Sequence, residues 1–311
     1  MVMLEFNRTN LSLPNCFYLD LRLEQNNDTF IASVVTCILN AVFSLITAIG
    51  NLVILHVIWS KQELHTPSFI LLFCLAASDL LVGLVSQPFY VTFKITELTD
   101  NFGAYCILRM IQSISGWTTT GVSLAILSGV SIDRLLVLTL HLRYNSIVTV
   151  QRVLQTVFVV WMLSVTIVML RFWIRQWLIF PVAIVVTSFL VTAISTLKIF
   201  QIVRKHQRQI FQQQQSVQSN IVDVLNCRKS AVTVLYVYGL FVIFYLPLYA
   251  TMVVETLTGY TLRVKIAYDY AATAVFINSF LNPIVYCFRI GEIRRAVKNL
   301  LKRSKLLTSG H

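Results

Sequence analysis

The apolar run at 271–288 contains two groups that hydrocarbon does not tolerate alone, the side-chain amides of Asn278 and Asn282, and Pro283 follows directly. A buried amide without a partner is costly in a bilayer. A proline inside a helix removes one backbone donor and frees the carbonyl one turn back. A helix that keeps both must face other protein, and its neighbours must carry polar groups at matching depth. The bland alternative is a kinked membrane helix that packs through small and polar residues.

Six further apolar runs, at 30–59, 67–93, 105–138, 150–172, 177–202 and 231–257, are long enough to cross a bilayer. The first holds Gly50-Asn51 at its centre, and the second holds Asp79 near its middle. An intramembrane carboxylate must be paired or hydrated, which makes it a functional candidate. The chain is 57% hydrophobic and 12% charged, against about 25% charged in soluble proteins. It is therefore read as an all-α membrane protein, a seven-transmembrane helix bundle. Water-soluble enzyme classes are excluded. No metal-ligand, nucleophile–base or phosphate-loop pattern appears, so no catalytic residues and no cofactor are expected.

The net charge of +12 is unevenly distributed. With the runs placed as above, seventeen of the 25 Lys and Arg lie on one side. That side is cytoplasmic by the positive-inside rule, which puts the N-terminus outside and argues against nucleic acid as partner. No basic segment leads into an apolar one at the N-terminus, so the first span is expected to act as its own insertion signal. Asn7, Asn10 and Asn27 head glycosylation sequons in the segment placed outside. Residues 1–29 are thus an extracellular, glycosylated N-terminus, and 30–288 form the transmembrane domain. Residues 289–311 hold an amphipathic helix, which lies on the anionic lipids of the inner leaflet, and a short tail.

Asn282-Pro283-Ile284-Val285-Tyr286 resembles the Asn-Pro-x-x-Tyr motif of the rhodopsin-like G-protein-coupled receptors. Asp133-Arg134 resembles that family's Asp-Arg-Tyr motif, with Leu135 in place of Tyr. Phe241 and Pro247 match its Phe-x-x-Cys-Trp-x-Pro motif, with Phe244 and Tyr245 replacing Cys and Trp. The mid-helix Pro and inner Tyr of the fifth helix become Ser188 and Thr196, and the acidic inner tether of the sixth becomes Cys227. The near-absent connection after the fourth run is similar to melanocortin receptors. The 141–149 loop and the 289–294 segment are similar to adenosine receptors.

The resemblance implies a plasma-membrane receptor that passes the binding of an extracellular ligand to heterotrimeric G proteins, with raised basal activity as a hypothesis. The switch residues would be Asp133, Arg134, Phe241, Tyr245, Pro247, Asn282, Pro283 and Tyr286. Asp79, Ser123, Asn278, Ser279 and Asn282 would form a sodium site, or else a hydrated polar network without a specific ion. The ligand pocket would be lined by Arg109, Gln112, Ser113, Gly116, Trp117, Thr120, Tyr245, Leu248, Tyr249, Met252, Ala272 and Phe276. Arg109 is expected to be the only charge near it, paired with an acidic ligand, Glu255 or Asp269. The usual disulfide at the top of the third helix cannot form, because Arg109 stands at its position. Cys16 and Cys106 either pair or remain free thiols. The competing readings are a non-signalling member of the fold, acting as scavenger or dimer partner, and a small membrane transporter.

Overall fold

A computed structural model describes residues 26–99, 101–140, 143–174, 177, 179–212 and 239–308, without the side chains of 102, 172, 206–212, 289 and 301–308. Seven helices among them are long and apolar enough to span a bilayer. They are α1 (Asn27–Ser60), α2 (Pro67–Leu98), α3 (Phe102–Leu140), α4 (Val150–Met169), α5 (Ile179–Gln212), α6 (Gly239–Thr258) and α7 (Leu262–Arg289). The eighth, α8 (Gly291–Thr308), follows α7 after the extended residue Ile290.

The helices start where the sequence supplies caps. Asn26 and Thr29 form a reciprocal capping box on α1. Thr149 and Thr261 accept from the third backbone N–H of α4 and α7. Gly259, at φ 75°, makes the turn between α6 and α7 that a residue with a Cβ would strain.

The bundle buries polar groups within its apolar core and turns apolar side chains outward. Asn51 is 0% and Asp79 1% exposed, whereas Leu45 is 67% and Phe158 66% exposed. That inversion is what a hydrocarbon solvent requires. α1 packs on α2 and α7, and α3 runs through the centre against α2, α4 and α5. On α8, Ile293, Ala296, Val297 and Leu300 turn toward the bundle, while Arg294, Arg295 and Lys298 are exposed.

Two helices extend past their apolar runs at the end that the charge distribution predicts to be extracellular, called outer here, the opposite end being inner. α2 continues to Leu98, and α7 begins at Leu262 rather than 271. Between Val82 and Ser86, α2 opens into a π-helical turn. Pro88 cannot donate to the Leu84 carbonyl, and the wider turn just before it absorbs that lost bond. The same turn brings Gly83 onto α1. Ser44 Oγ donates to its carbonyl at 2.8 Å, and an added Cβ would lie 2.9 Å from the Ala48 backbone nitrogen.

Candidate functional site

The mid-membrane layer is built around Asp79. Asn282 Nδ2 donates to its Oδ2 at 2.7 Å, and the Ser279 side chain is a second partner. The Ser78 and Ser123 hydroxyls share a bond of 2.9 Å. Asn51 Nδ2 donates to the Thr47 carbonyl at 2.9 Å and to the Ser279 carbonyl at 3.2 Å. Ser279 lies four residues before Pro283, so its carbonyl is the one the proline frees. The Asn on α1 thus satisfies the break in α7, and Gly50 lets the two helices approach, its Cβ position 3.5 Å from Pro283 Cγ. Ser123, Asn278, Ser279 and Asn282 are all buried with Asp79. Asn51 Oδ1 and the Tyr286 hydroxyl are buried without a partner among the described residues.

At the inner end, Asp133 is held chiefly by groups other than Arg134. Ser68 Oγ donates to one carboxylate oxygen at 2.6 Å, and the Tyr144 hydroxyl to the other at 2.5 Å. Arg134 Nε stands 3.8 Å away and is 26% exposed. Burial, and then the bond to Asp133, push the Tyr144 phenol up to about 12, so it is a protonated donor at neutral pH. Tyr144 sits on the one-turn helix Tyr144–Ile147, whose donor role carries no motif of its own. On α6, the Phe241 and Tyr245 rings stack at 3.7 Å. Thr251 Oγ1 donates to the Pro247 carbonyl at 2.7 Å. Cys227 lies outside the described residues.

The outer end corrects the expectation of a single charge near the cavity. Lys94 donates to Glu97 at 2.8 Å and to Asp269 at 2.6 Å, and Lys265 pairs with Glu97 at 2.5 Å. All four are buried. They cancel in charge and join the outer ends of α2 and α7. Asp269 is therefore engaged by Lys94, not by Arg109. The Arg109 guanidinium instead lies 4.8 Å from the Phe93 ring centre and 5.7 Å from that of Tyr268. Arg171, beyond the end of α4, donates to Ser113 Oγ at 2.6 Å and lies over the Trp177 ring at 5.1 Å.

The expected pocket residues divide into separate neighbourhoods. Phe276 packs edge-on against Tyr90 and lies by Gly116 and Gln112. Leu248, Met252 and Ala272 are buried in the main core, and Tyr245 stacks on Phe241. Only Trp117, Thr120 and Tyr249 line the described cleft. Its other walls are Gly121 and Leu124 of α3, Ser164, Ile167 and Val168 of α4, Trp177, and Pro181 and Ile184 of α5. The cleft therefore opens between α3, α4 and α5, away from α7. Neither the ion network nor this cleft follows from a motif.

Cys106 is disulfide-bonded, and Cys37, Cys74 and Cys287 are free thiols. Cys16 lies outside the described residues, as do Asn7 and Asn10. Asn27 is exposed in the first turn of α1.

A seven-helix bundle with a paired carboxylate at mid-depth and an Asp-Arg pair at one end defines a membrane receptor class. The chain matches the model of the 7 transmembrane receptor (rhodopsin family) over residues 50–183 and 178–286. It belongs to that family, and so is a multi-pass membrane protein of a family of receptors rather than enzymes. It is 26% identical over 299 residues to cannabinoid receptor 2 of Rattus norvegicus, covering 89% of this chain and 81% of that receptor. It is 28% identical over 293 residues to trace amine-associated receptor 5 of Mus musculus, covering 85% of this chain and 83% of that one.

Proposed function

We propose that the chain is a plasma-membrane receptor that couples an extracellular ligand to heterotrimeric G proteins. The observation that carries this is the inner Asp133–Arg134 pair. Asp133 is fixed by Ser68 and Tyr144, while Arg134 is only loosely held and partly exposed. A cation in that state is available to a partner entering from the cytoplasmic side. In the active state the inner half of α6 swings about Pro247, Arg134 and Tyr286 rearrange, and a cleft opens for the Gα subunit.

The same reading puts the N-terminus outside, glycosylated at Asn7, Asn10 and Asn27, with Cys16 as the partner of Cys106. A small hard cation, sodium, fits the mid-membrane layer, because Asp79, Ser123, Asn278, Ser279 and Asn282 offer a carboxylate and neutral oxygens together. Those residues would hold it, and its charge would offset the buried carboxylate and favour the inactive state. The short connection after α4 supports a place near the adenosine and melanocortin receptors. Tyr245 in place of Trp and Cys227 in place of an acid support raised basal activity.

The test is nucleotide exchange on a panel of co-expressed G proteins, without ligand, for the wild type and Arg134→Ala at matched surface expression. Basal exchange lowered by the substitution is the expected result. Exchange above empty cells that Arg134→Ala leaves unchanged would overturn the role of Arg134. Exchange indistinguishable from empty cells would remove the basal activity and leave a ligand-dependent receptor or the non-signalling alternative.

A further inference from the structure

Resting on the receptor reading, we infer that the ligand is an organic anion with an apolar body, bound by Arg109 and Arg171. The two guanidiniums come from different elements and converge on the outer mouth. Arg109 stands on α3 over Phe93 and Tyr268. Arg171 reaches in from beyond α4, donates to Ser113 at 2.6 Å, and covers Trp177.

Among the described residues, neither guanidinium has a carboxylate within ion-pair distance. Two nearby acids are engaged by lysines: Asp269 by Lys94, and Glu97 by both Lys94 and Lys265. That network of two lysines and two carboxylates is neutral, and among the described residues it leaves the two arginines beside it without a carboxylate in direct contact. Aromatic faces and one hydroxyl do not replace a counter-ion for two partly desolvated cations. Burial lowers the Arg171 guanidinium below its usual range; Tyr268 and Glu255 act the other way, and the nearby Arg109 charge adds to the lowering. An anion beside both would relieve desolvation and repulsion together.

The site continues into apolar surface. Arg109, Ser113, Trp117 and Gly121 recur every four residues and so lie along one face of α3. That face runs from the arginines down to the cleft between α3, α4 and α5, where Trp117 meets Trp177 edge-on at 5.1 Å. Trp177 is shared: its ring carries Arg171 and lines the cleft. A ligand with its acidic group between the arginines therefore has its apolar part beside Trp177. A free amine would meet two cations.

The experiment uses the full-length protein in neutral-lipid nanodiscs, without G protein. Its melting temperature is followed against medium-chain alkyl carboxylates and alkyl phosphates, and against alcohols and amines of the same chains. The acids should raise the melting temperature, and the alcohols and amines should not. Comparison of carboxylate with phosphate identifies which anion the arginines prefer. Arg109→Gln and Arg171→Gln should each weaken acid binding about tenfold or more. Arg171→Lys, which keeps the charge, should retain part of it. Alcohols that match the acids would overturn the inference, and that comparison needs only the wild type. So would wild-type acid affinity in both Gln variants. Acid binding without nucleotide exchange would count against coupling alone, and exchange without acid preference against this inference alone.

Discussion

The two ends of the bundle handle buried charge in opposite ways. At the outer end, Lys94, Glu97, Asp269 and Lys265 are joined by three contacts of 2.5–2.8 Å and are buried. At the inner end, Arg134 stands 3.8 Å from Asp133 and is partly exposed. A closed buried network resists opening, because separating any member strands a charge in a low dielectric. A loose, partly solvated pair can exchange partners at small cost. The outer ends of α2 and α7 are thus held together, whereas on the proposed reading the inner ends of α3 and α6 are the part that moves. The polar layer at Asp79 lies between them.

The largest expected effect comes from breaking the fixed end. Lys94→Ala removes the lysine that Asp269 and Glu97 share, and should cost about 3–5 kcal/mol. The melting temperature of the purified protein would show this, and a near-normal value would mean that the network is not closed. Lys94→Met with Asp269→Leu should cost much less than Lys94→Ala, since no charge is then stranded on α7. Next is Gly83→Ala, whose Cβ would stand 2.9 Å from backbone of α1. Backbone cannot step aside as a side chain does, so a loss of about 1–3 kcal/mol is expected in the same assay.

Asn51→Ala strands the carbonyl that Pro283 frees and should cost about 1–3 kcal/mol. It should also alter basal nucleotide exchange, because the α1–α7 contact joins the two ends. Smallest in stability is Tyr144→Phe, which removes one donor to the partly exposed Asp133 pair. The loss should be about 1.5 kcal/mol or less. Basal exchange should nevertheless rise, as Asp133 is left less fixed. A large stability loss with unchanged exchange would reverse the assignment of fixed and movable ends.

Much of this was legible in residue order, but unevenly. The apolar runs placed the helices, and the Asn-Pro pair on the seventh run required a partner such as Asn51. The outer network was not legible, for a physical reason. Lys94 and Lys265 lie beyond the apolar windows, where a charge ordinarily marks the rim. The extension of α2 to Leu98 and of α7 back to Leu262 brings them inside, and the π turn before Pro88 resets which side chains of α2 face inward. Tyr144 was equally silent, since a tyrosine on a short loop helix carries no periodic signal. The cleft between α3, α4 and α5 was not legible either, because it depends on how Trp177 folds back, its Nε1 donating to the Ile167 carbonyl at 2.6 Å.

The most direct test measures two distances in one molecule, by spin labels in a background whose free cysteines are replaced. One pair bridges the outer end at Ile95 and Tyr270, and the other joins Thr139 at the inner end of α3 to Ala231, where the sequence starts the sixth run; Ile95, Tyr270 and Thr139 are exposed. Binding of a nucleotide-free G protein should lengthen the inner distance by several ångströms and leave the outer distribution unchanged. An outer distance that shifts as much as the inner one, or an inner distance that stays fixed while exchange proceeds, would contradict the account.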